Sequence, residues 1–225
     1  MKNKRELSTM TEDYLRAIYS VEEWDDEGVG VTDLANIMGV VPSTASENVR
    51  KLRDAGLIDH EPYGKVRLTD DGRREAVHMV RRHRILETFL QKFLGFSWDE
   101  VHQEAEELEH AVSDRFIDKV DEALGYPVLD PHGDPIPSKD GTIAPSSKMT
   151  VLSAELDTEL DVLRIRDGEP EILRYFESRG LMPGKKIRVL SRGSATGLIT
   201  LLIDGERVDL PESLGKTIRV HPVSG

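Results

Sequence analysis

Cysteine is absent from the 225 residues. Its absence excludes a disulfide scaffold, a cysteine-liganded zinc finger, an iron–sulfur cluster and a thiolate nucleophile. No apolar run approaches the roughly 18 residues that a membrane span needs. The charges of Met1-Lys2-Asn3-Lys4-Arg5-Glu6 precede no apolar stretch of signal-peptide form. Positive charge is in deficit, with 30 Lys and Arg against 42 Asp and Glu and a net charge of -12. Such a balance opposes non-specific coating of nucleic acid or anionic membrane, but leaves room for one local basic surface. Enzyme signatures are missing too: there is no His-Glu-x-x-His, no Gly-x-Ser-x-Gly and no glycine-rich phosphate loop. Gly193-Ser194-Ala195-Thr196-Gly197 falls between two strand-like segments and is expected to be a hairpin loop. The expectation is a soluble, cytoplasmic protein of two or three modules.

Apolar periodicity runs through most of the chain. Thr9-Met10-Thr11-Glu12 has the form of a capping box, and Tyr14, Leu15, Ile18, Tyr19 and Val21 follow at helical spacing. A short helix is expected over Val31 to Met38 with Thr32 as N-cap, closed by Gly39. The next runs from Pro42 or Ser43 to Ala55, with proline at a helix start where its missing N–H costs nothing. Leu57–Glu61 and Lys65–Thr69 form a predicted hairpin around Tyr63-Gly64. A long helix extends from Asp70-Asp71-Gly72 to about Leu94. Ser97-Trp98-Asp99-Glu100 reads as a second capping box, opening a helix to about Val112, and another helix runs from Ser113 to Leu124. Residues 126–147 hold five prolines and two glycines and read as a linker. Beyond it Lys186–Leu190, Leu198–Ile203 and Thr217–Val220 alternate as the strands of a small β-barrel.

Residues 31–69 have the order of a winged helix-turn-helix, whose second helix enters the major groove N-terminus first. Ser43, Thr44, Ser46, Glu47 and Asn48 occupy that start, with Ala45, Val49 and Leu52 as the buried stripe. Arg50, Lys51, Arg53, Lys65 and Arg67 would neutralise phosphate.

A second constellation follows. His102, Glu106, Glu109 and His110 lie within an arc of about 100° on one helix. His83 and Glu87 share a face of the preceding helix at i, i+4. Imidazole and carboxylate without thiolate suit Mn, Fe(II), Co, Ni or Zn. The competing reading is a solvated acidic face, in which the histidines are ordinary ion-pair partners.

Four segments carry a resemblance: Thr11-Glu12-Asp13-Tyr14-Leu15-Arg16-Ala17-Ile18-Tyr19, Pro42-Ser43-Thr44-Ala45-Ser46, Arg82-His83-Arg84-Ile85-Leu86-Glu87 and His102-Gln103-Glu104-Ala105-Glu106-Glu107-Leu108-Glu109-His110. With Gly133-Asp134-Pro135-Ile136-Pro137, the chain resembles the diphtheria-toxin-repressor family of metal-dependent transcription regulators over essentially its full length. The resemblance implies a mainly α fold with a small β module. A winged helix would occupy residues 1–73, a helical dimerisation and metal-binding domain 74–143, and an SH3-like barrel 150–225. It implies a primary metal site of Asp13, Glu106, Glu109 and His110 and an ancillary site of His83, Glu87 and His102. Glu169 would be a further ancillary ligand from the third domain, and Glu171 a substitute where the family's Gln position holds Ile172. Arg16 stands where some two-domain members carry a Glu ligand, so a primary-plus-ancillary arrangement is expected rather than a closely spaced metal pair.

Iron-responsive relatives place sulfur residues where this chain has Asp13 and Glu106. Hard oxygen ligands make Mn2+ the expected activator and Fe2+ the alternative, while Zn2+ or Co2+ are expected to bind in vitro. The expected function is a homodimeric, metal-dependent repressor that binds palindromic operator DNA and controls metal homeostasis. A metal-dependent hydrolase with an accessory winged helix is the alternative from another class. A peptide-binding adaptor is disfavoured, because residues 150–225 hold only Tyr175 and Phe176 as aromatics.

Overall fold

A computed structural model describes residues 7–25, 27–61, 64–166, 168–193 and 196–223. The N-terminal charges, the hairpin tip at Tyr63, and Ser194 and Ala195 of the glycine-flanked loop lie outside the described residues. The architecture is mainly helical with one small β module. It divides into two compact units, residues 1–82 with 137–142 and residues 83–136 with 143–225.

In the first unit α1 (Thr9–Trp24) is capped by Ser8, whose Oγ accepts from the Thr11 N–H at 3.3 Å. The cap is one residue earlier than the Thr9 box predicted. Similarly α2 (Val31–Ile37) starts after Gly30 without a side-chain cap, so Thr32 lies inside the helix. Helix α2 ends in a Schellman turn: Gly39 takes φ +62, its N–H reaches Asn36 O and that of Val40 reaches Ala35 O at 3.0 Å. The turn delivers Val41 as N-cap and Pro42 as first residue of α3 (Pro42–Asp54), which buries Ala45, Val49 and Leu52. Gly56 closes α3 by the same motif, with Leu57 N–H donating to Leu52 O at 3.0 Å. The wing is short. β1 (Ile58–Asp59) pairs antiparallel with β2 (Arg67–Leu68), and Val66 bridges to Val29. Glu22 fastens it, accepting from Leu68 N–H at 2.8 Å and pairing with Arg73, whose guanidinium lies over Tyr19.

Helix α4 (Asp70–Phe89) crosses the boundary between the units and runs into a π-helical turn, Leu90–Leu94, stopped by left-handed Gly95. In the second unit its Ile85, Leu86 and Leu90 pack with Val101 and Ala105 of α5 (Val101–Glu109) and Ile117 and Val120 of α6 (Asp114–Leu124). Helix α5 is shorter than predicted at both ends. Ser97 and Glu100 do bond to each other, at 2.7 and 3.1 Å, but residues 98–100 form a turn and His110 is the C-cap. The turn is accounted for by its side chains: Trp98 is buried in the barrel core and Asp99 binds Arg174 at 2.7 Å.

The barrel is a five-stranded antiparallel sheet of order β6-β5-β4-β3-β7. Its strands are β3 (Glu159–Ile165), β4 (Lys186–Gly193), β5 (Leu198–Ile203), β6 (Glu206–Pro211) and β7 (Ile218–Pro222). Helix α7 (Pro170–Ser178) buries Leu173 and Phe176 in the same core, and the short α8 (Glu212–Gly215) precedes β7. Strands β3 and β6 were not among the predicted ones.

The proline-rich stretch is not a slack linker. Asp130, His132, Asp134 and Ile136 are buried, and Ile165 N–H donates to His132 O at 2.9 Å. Arg84 donates to Pro135 O at 2.7 Å, while Asp134 pairs with Arg164. At Gly133, φ +83 combines with a Leu163 carbonyl lying where a Cβ would stand. Gly133→Ala should therefore destabilise by about 3 kcal/mol or more, since a positive φ and a backbone collision add. Gly205→Ala, also at positive φ (+86) but with nothing within 4 Å, should cost about 1 kcal/mol. Urea unfolding of the two variants checks the ranking, which equal losses would contradict.

Candidate metal centre and nucleic-acid interface

The second unit places three histidines and three carboxylates of α4 and α5 in one network. Glu87 and Glu109 are fully buried and His83 is 4% exposed. His83 lies between them, with Nε2 2.9 Å from Glu87 Oε1 and Nδ1 2.7 Å from Glu109 Oε2. His102 Nδ1 meets the same Glu87 oxygen at 3.2 Å, and its Nε2 is 3.5 Å from the half-exposed Glu106. His110 Nε2 is 3.5 Å from Glu109 Oε1. Burial alone would raise the Glu87 carboxyl. The charge of His83, hydrogen bonds from His102 and His83 and the approach of His132 overcome that and hold it well below the usual carboxylate range.

Helical spacing accounts for this local assembly. The i, i+4 pairs His83/Glu87 and His102/Glu106 each share a face of their own helix. The burial of Val101 and Ala105 against Ile85 and Leu86 brings the two faces together. His83, Glu87 and His102 offer donor atoms within 4.8 Å of one another, a spacing that suits ligands of a single cation.

A second set shares Glu87. Asp130 and His132, with Glu87, also present donors within 4.8 Å, and all three residues are buried. Glu87 Oε2 has no hydrogen-bond partner and faces His132 Nδ1 at 3.8 Å. His132 Nε2 bonds to Trp98 O at 2.7 Å and its ring stacks on the Trp98 indole at 5.8 Å. A buried acceptor oxygen beside imidazole and carboxylate fits a divalent cation by donor chemistry. Sequence reasoning missed Asp130 and His132. The available signal was an Asp-Pro-His-Gly run, ligand-type residues in a stiff loop, which the linker reading passed over.

The remaining predicted ligands are members of neither set. Asp13 is half-buried on α1 in the first unit. Glu169 and Glu171 are exposed at the start of α7 and join none of the donor groups found among the described residues.

On α3, Ser43, Thr44, Ser46, Glu47, Arg50 and Lys51 are exposed, while Asn48 is half-buried. The Ser46 hydroxyl donates to Pro42 O at 2.8 Å, and the Asn48 amide donates to Thr44 O at 3.1 Å and to the Tyr14 hydroxyl at 3.5 Å.

Known proteins match all three parts. Residues 6–66 match the N-terminal DNA-binding domain of iron-dependent repressors, 69–138 their metal-binding and dimerisation domain, and 149–222 the FeoA domain. The iron-dependent repressor IdeR of Mycobacterium tuberculosis is 28% identical over 97% of this chain and 99% of its own length. A solved manganese-dependent transcriptional repressor in complex with manganese is 46% identical, with a TM-score of 0.90 over 95% of this chain and all of that one. The manganese regulator SloR is 32% identical, with a TM-score of 0.84 over 94% of this chain and 98% of its own. Fold and site together define a metal-dependent transcriptional repressor. The chain belongs to the diphtheria-toxin-repressor family, the iron-dependent repressors. It is not an enzyme, and the hydrolase alternative falls with that assignment.

The two tryptophans, Trp24 and Trp98, allow the donor sets to be told apart. In a Trp24→Phe background, Mn2+ should quench Trp98 emission through the adjoining His132. Asp130→Ala should weaken the quenching at least tenfold in metal concentration, and His102→Ala should do so less. Quenching lost with His102→Ala but kept with Asp130→Ala would assign the ion to the opposite side of Glu87.

Proposed function

We propose that the protein is a manganese-activated, homodimeric repressor that reads a palindromic operator in the cytoplasm and controls metal homeostasis. The observation that carries this reading is the donor set: imidazole nitrogen and carboxylate oxygen, buried in a helical module and without sulfur. Hard oxygen donors allow about six ligands, a number Mn2+ accepts and Zn2+ commonly does not. The manganese complex named for the relative of 46% identity agrees with that preference.

In this reading residues 1–73 bind DNA, 74–143 dimerise and hold metal, and 150–225 form the SH3-like module. Asp13, Glu106, Glu109 and His110 are the residues that would hold the primary ion. Glu87, His83 and His102 would hold the ancillary ion, with Asp130 and His132 as further donors beside Glu87. A bound divalent cation supplies the positive charge that these carboxylates otherwise draw from imidazole. Glu109 then holds a fixed position through His83, and Asp13 fixes α1 and with it α3. The DNA-competent population rises by the difference in metal affinity between the two states. Phe93, Leu94, Phe116, Tyr126, Val128 and Leu129 are exposed apolar side chains of the second unit, a surface that a second copy would cover. Ser43, Thr44, Ser46 and Asn48 begin the recognition helix, and Arg50 and Lys51 meet phosphate. Two such helices related by a dyad read half-sites about one helical turn apart.

The test is DNA binding by the full chain against a metal series, with a chelator control, on a duplex selected from random sequence. Mn2+ should raise affinity at least tenfold over chelator and exceed Fe2+ at matched occupancy. Asp13→Met with Glu106→Cys should shift activation toward Fe2+. Equal activation of the parent chain by both ions would overturn the manganese assignment.

A further inference from the structure

The recognition helix carries one acidic side chain in its first two turns. Taking about 100° per residue, the buried stripe of Ala45, Val49 and Leu52 has its opposite meridian within about 15° of Glu47. Glu47 is therefore the outermost side chain at the end of α3 that enters a major groove. Its carboxylate bonds to Lys51 Nζ at 2.8 Å, one turn along, and both side chains are more than half exposed. Arg50 and Lys51 stand on the same exposed face. The polar neighbours are differently committed: the Ser46 hydroxyl donates to Pro42 O, and the Asn48 amide donates to Thr44 O and Tyr14.

A fixed negative charge at the centre of a DNA-reading face repels phosphate and meets only repulsion from the acceptor atoms N7, O6 and O4 of the groove. It is compatible with tight binding where a base offers a donor. Two bases do so in the major groove, cytosine through N4 and adenine through N6. Adenine sets the acceptor N7 beside its donor, which suits an amide and opposes a carboxylate. Cytosine presents N4–H2 without an adjoining acceptor on its own edge. We propose that Glu47 is a specificity-determining residue of this repressor, accepting the exocyclic amine of one cytosine in each half-site, with Lys51 holding the carboxylate in place. The hydrogen bond and charge of Lys51 also keep the Glu47 carboxyl below its ordinary value, so it remains an acceptor at neutral pH. The proposal rests on the reading of the chain as a metal-activated DNA-binding protein.

The experiment is selection from randomised duplex DNA by the full-length, Mn2+-loaded chain, with Glu47→Gln, Glu47→Ala and Lys51→Ala beside it. The parent should select cytosine at one position of each half-site with about tenfold discrimination. Glu47→Gln should move that position to adenine, Glu47→Ala should leave it without preference, and Lys51→Ala should weaken the cytosine preference without replacing it. All other positions should be unchanged. If the glutamate variants instead bind every sequence more tightly with the same preferences, Glu47 is only a charge that repels phosphate, and the proposal is overturned. If the parent selects no sequence with Mn2+, the reading of the chain as an operator-binding repressor fails, and the proposal with it. Circular dichroism of the variants, at exposed positions of α3, separates loss of fold from loss of selectivity.

Discussion

Two fully buried carboxylates, Glu87 and Glu109, grip opposite nitrogens of the single imidazole of His83, at 2.9 and 2.7 Å. Only a doubly protonated ring can donate to both at once, so the interior of the helical module is built around a demand for positive charge. Taking carboxylates out of water is costly unless charge and hydrogen bonds are returned to them. Here the return comes from His83, His102, His110 and His132, all groups that also ligate metals. One side chain of α4 thereby touches residues of both proposed sites. His83 thus links Glu109 directly to Glu87.

The same logic holds the C-terminal barrel in place within its unit. Asp130 and Asp134 lie beside Arg84 of α4, and Asp134 also pairs with Arg164 of β3. Trp98 crosses from the helical segment into the barrel core and stacks on His132. The loop that carries two candidate ligands is thus clamped from both sides, and Gly133 permits the closest approach of its backbone to β3. Breaking one partner of such a buried pair leaves an uncompensated charge, which is why the loop is ordered although half its residues are polar or proline.

Local pattern made the helical parts legible in the sequence. The 3.6-residue period of α1, α3 and α4, and the glycines 39, 56, 95 and 125 that stop helices, placed the elements to within a few residues. The i, i+4 spacing placed His83 with Glu87 and His102 with Glu106. What failed depended on partners distant in sequence. Strand β3 shifts register between Val162 and Arg164, which breaks the alternation that identifies a strand. Strand β6 is an edge strand, half of its residues charged, ending in Pro211. Asp130 and His132 looked like linker because their burial comes from Arg84, Arg164 and Trp98, none of them near in sequence. Glu169 and Glu171 were matched by counting along a family pattern, and the start of α7 leaves both in solvent.

Regulation in this scheme is a coupling free energy, so metal and operator must strengthen each other equally. The most direct measurement is the Mn2+ affinity of the full chain, free and saturated with its selected operator, beside operator affinity with and without Mn2+. The two ratios should agree within error and exceed tenfold, and both should collapse toward one in Glu109→Ala while His83→Ala keeps a reduced coupling. An operator that leaves Mn2+ affinity unchanged, or a Glu109→Ala chain that retains full coupling, would contradict a metal-fixed recognition helix.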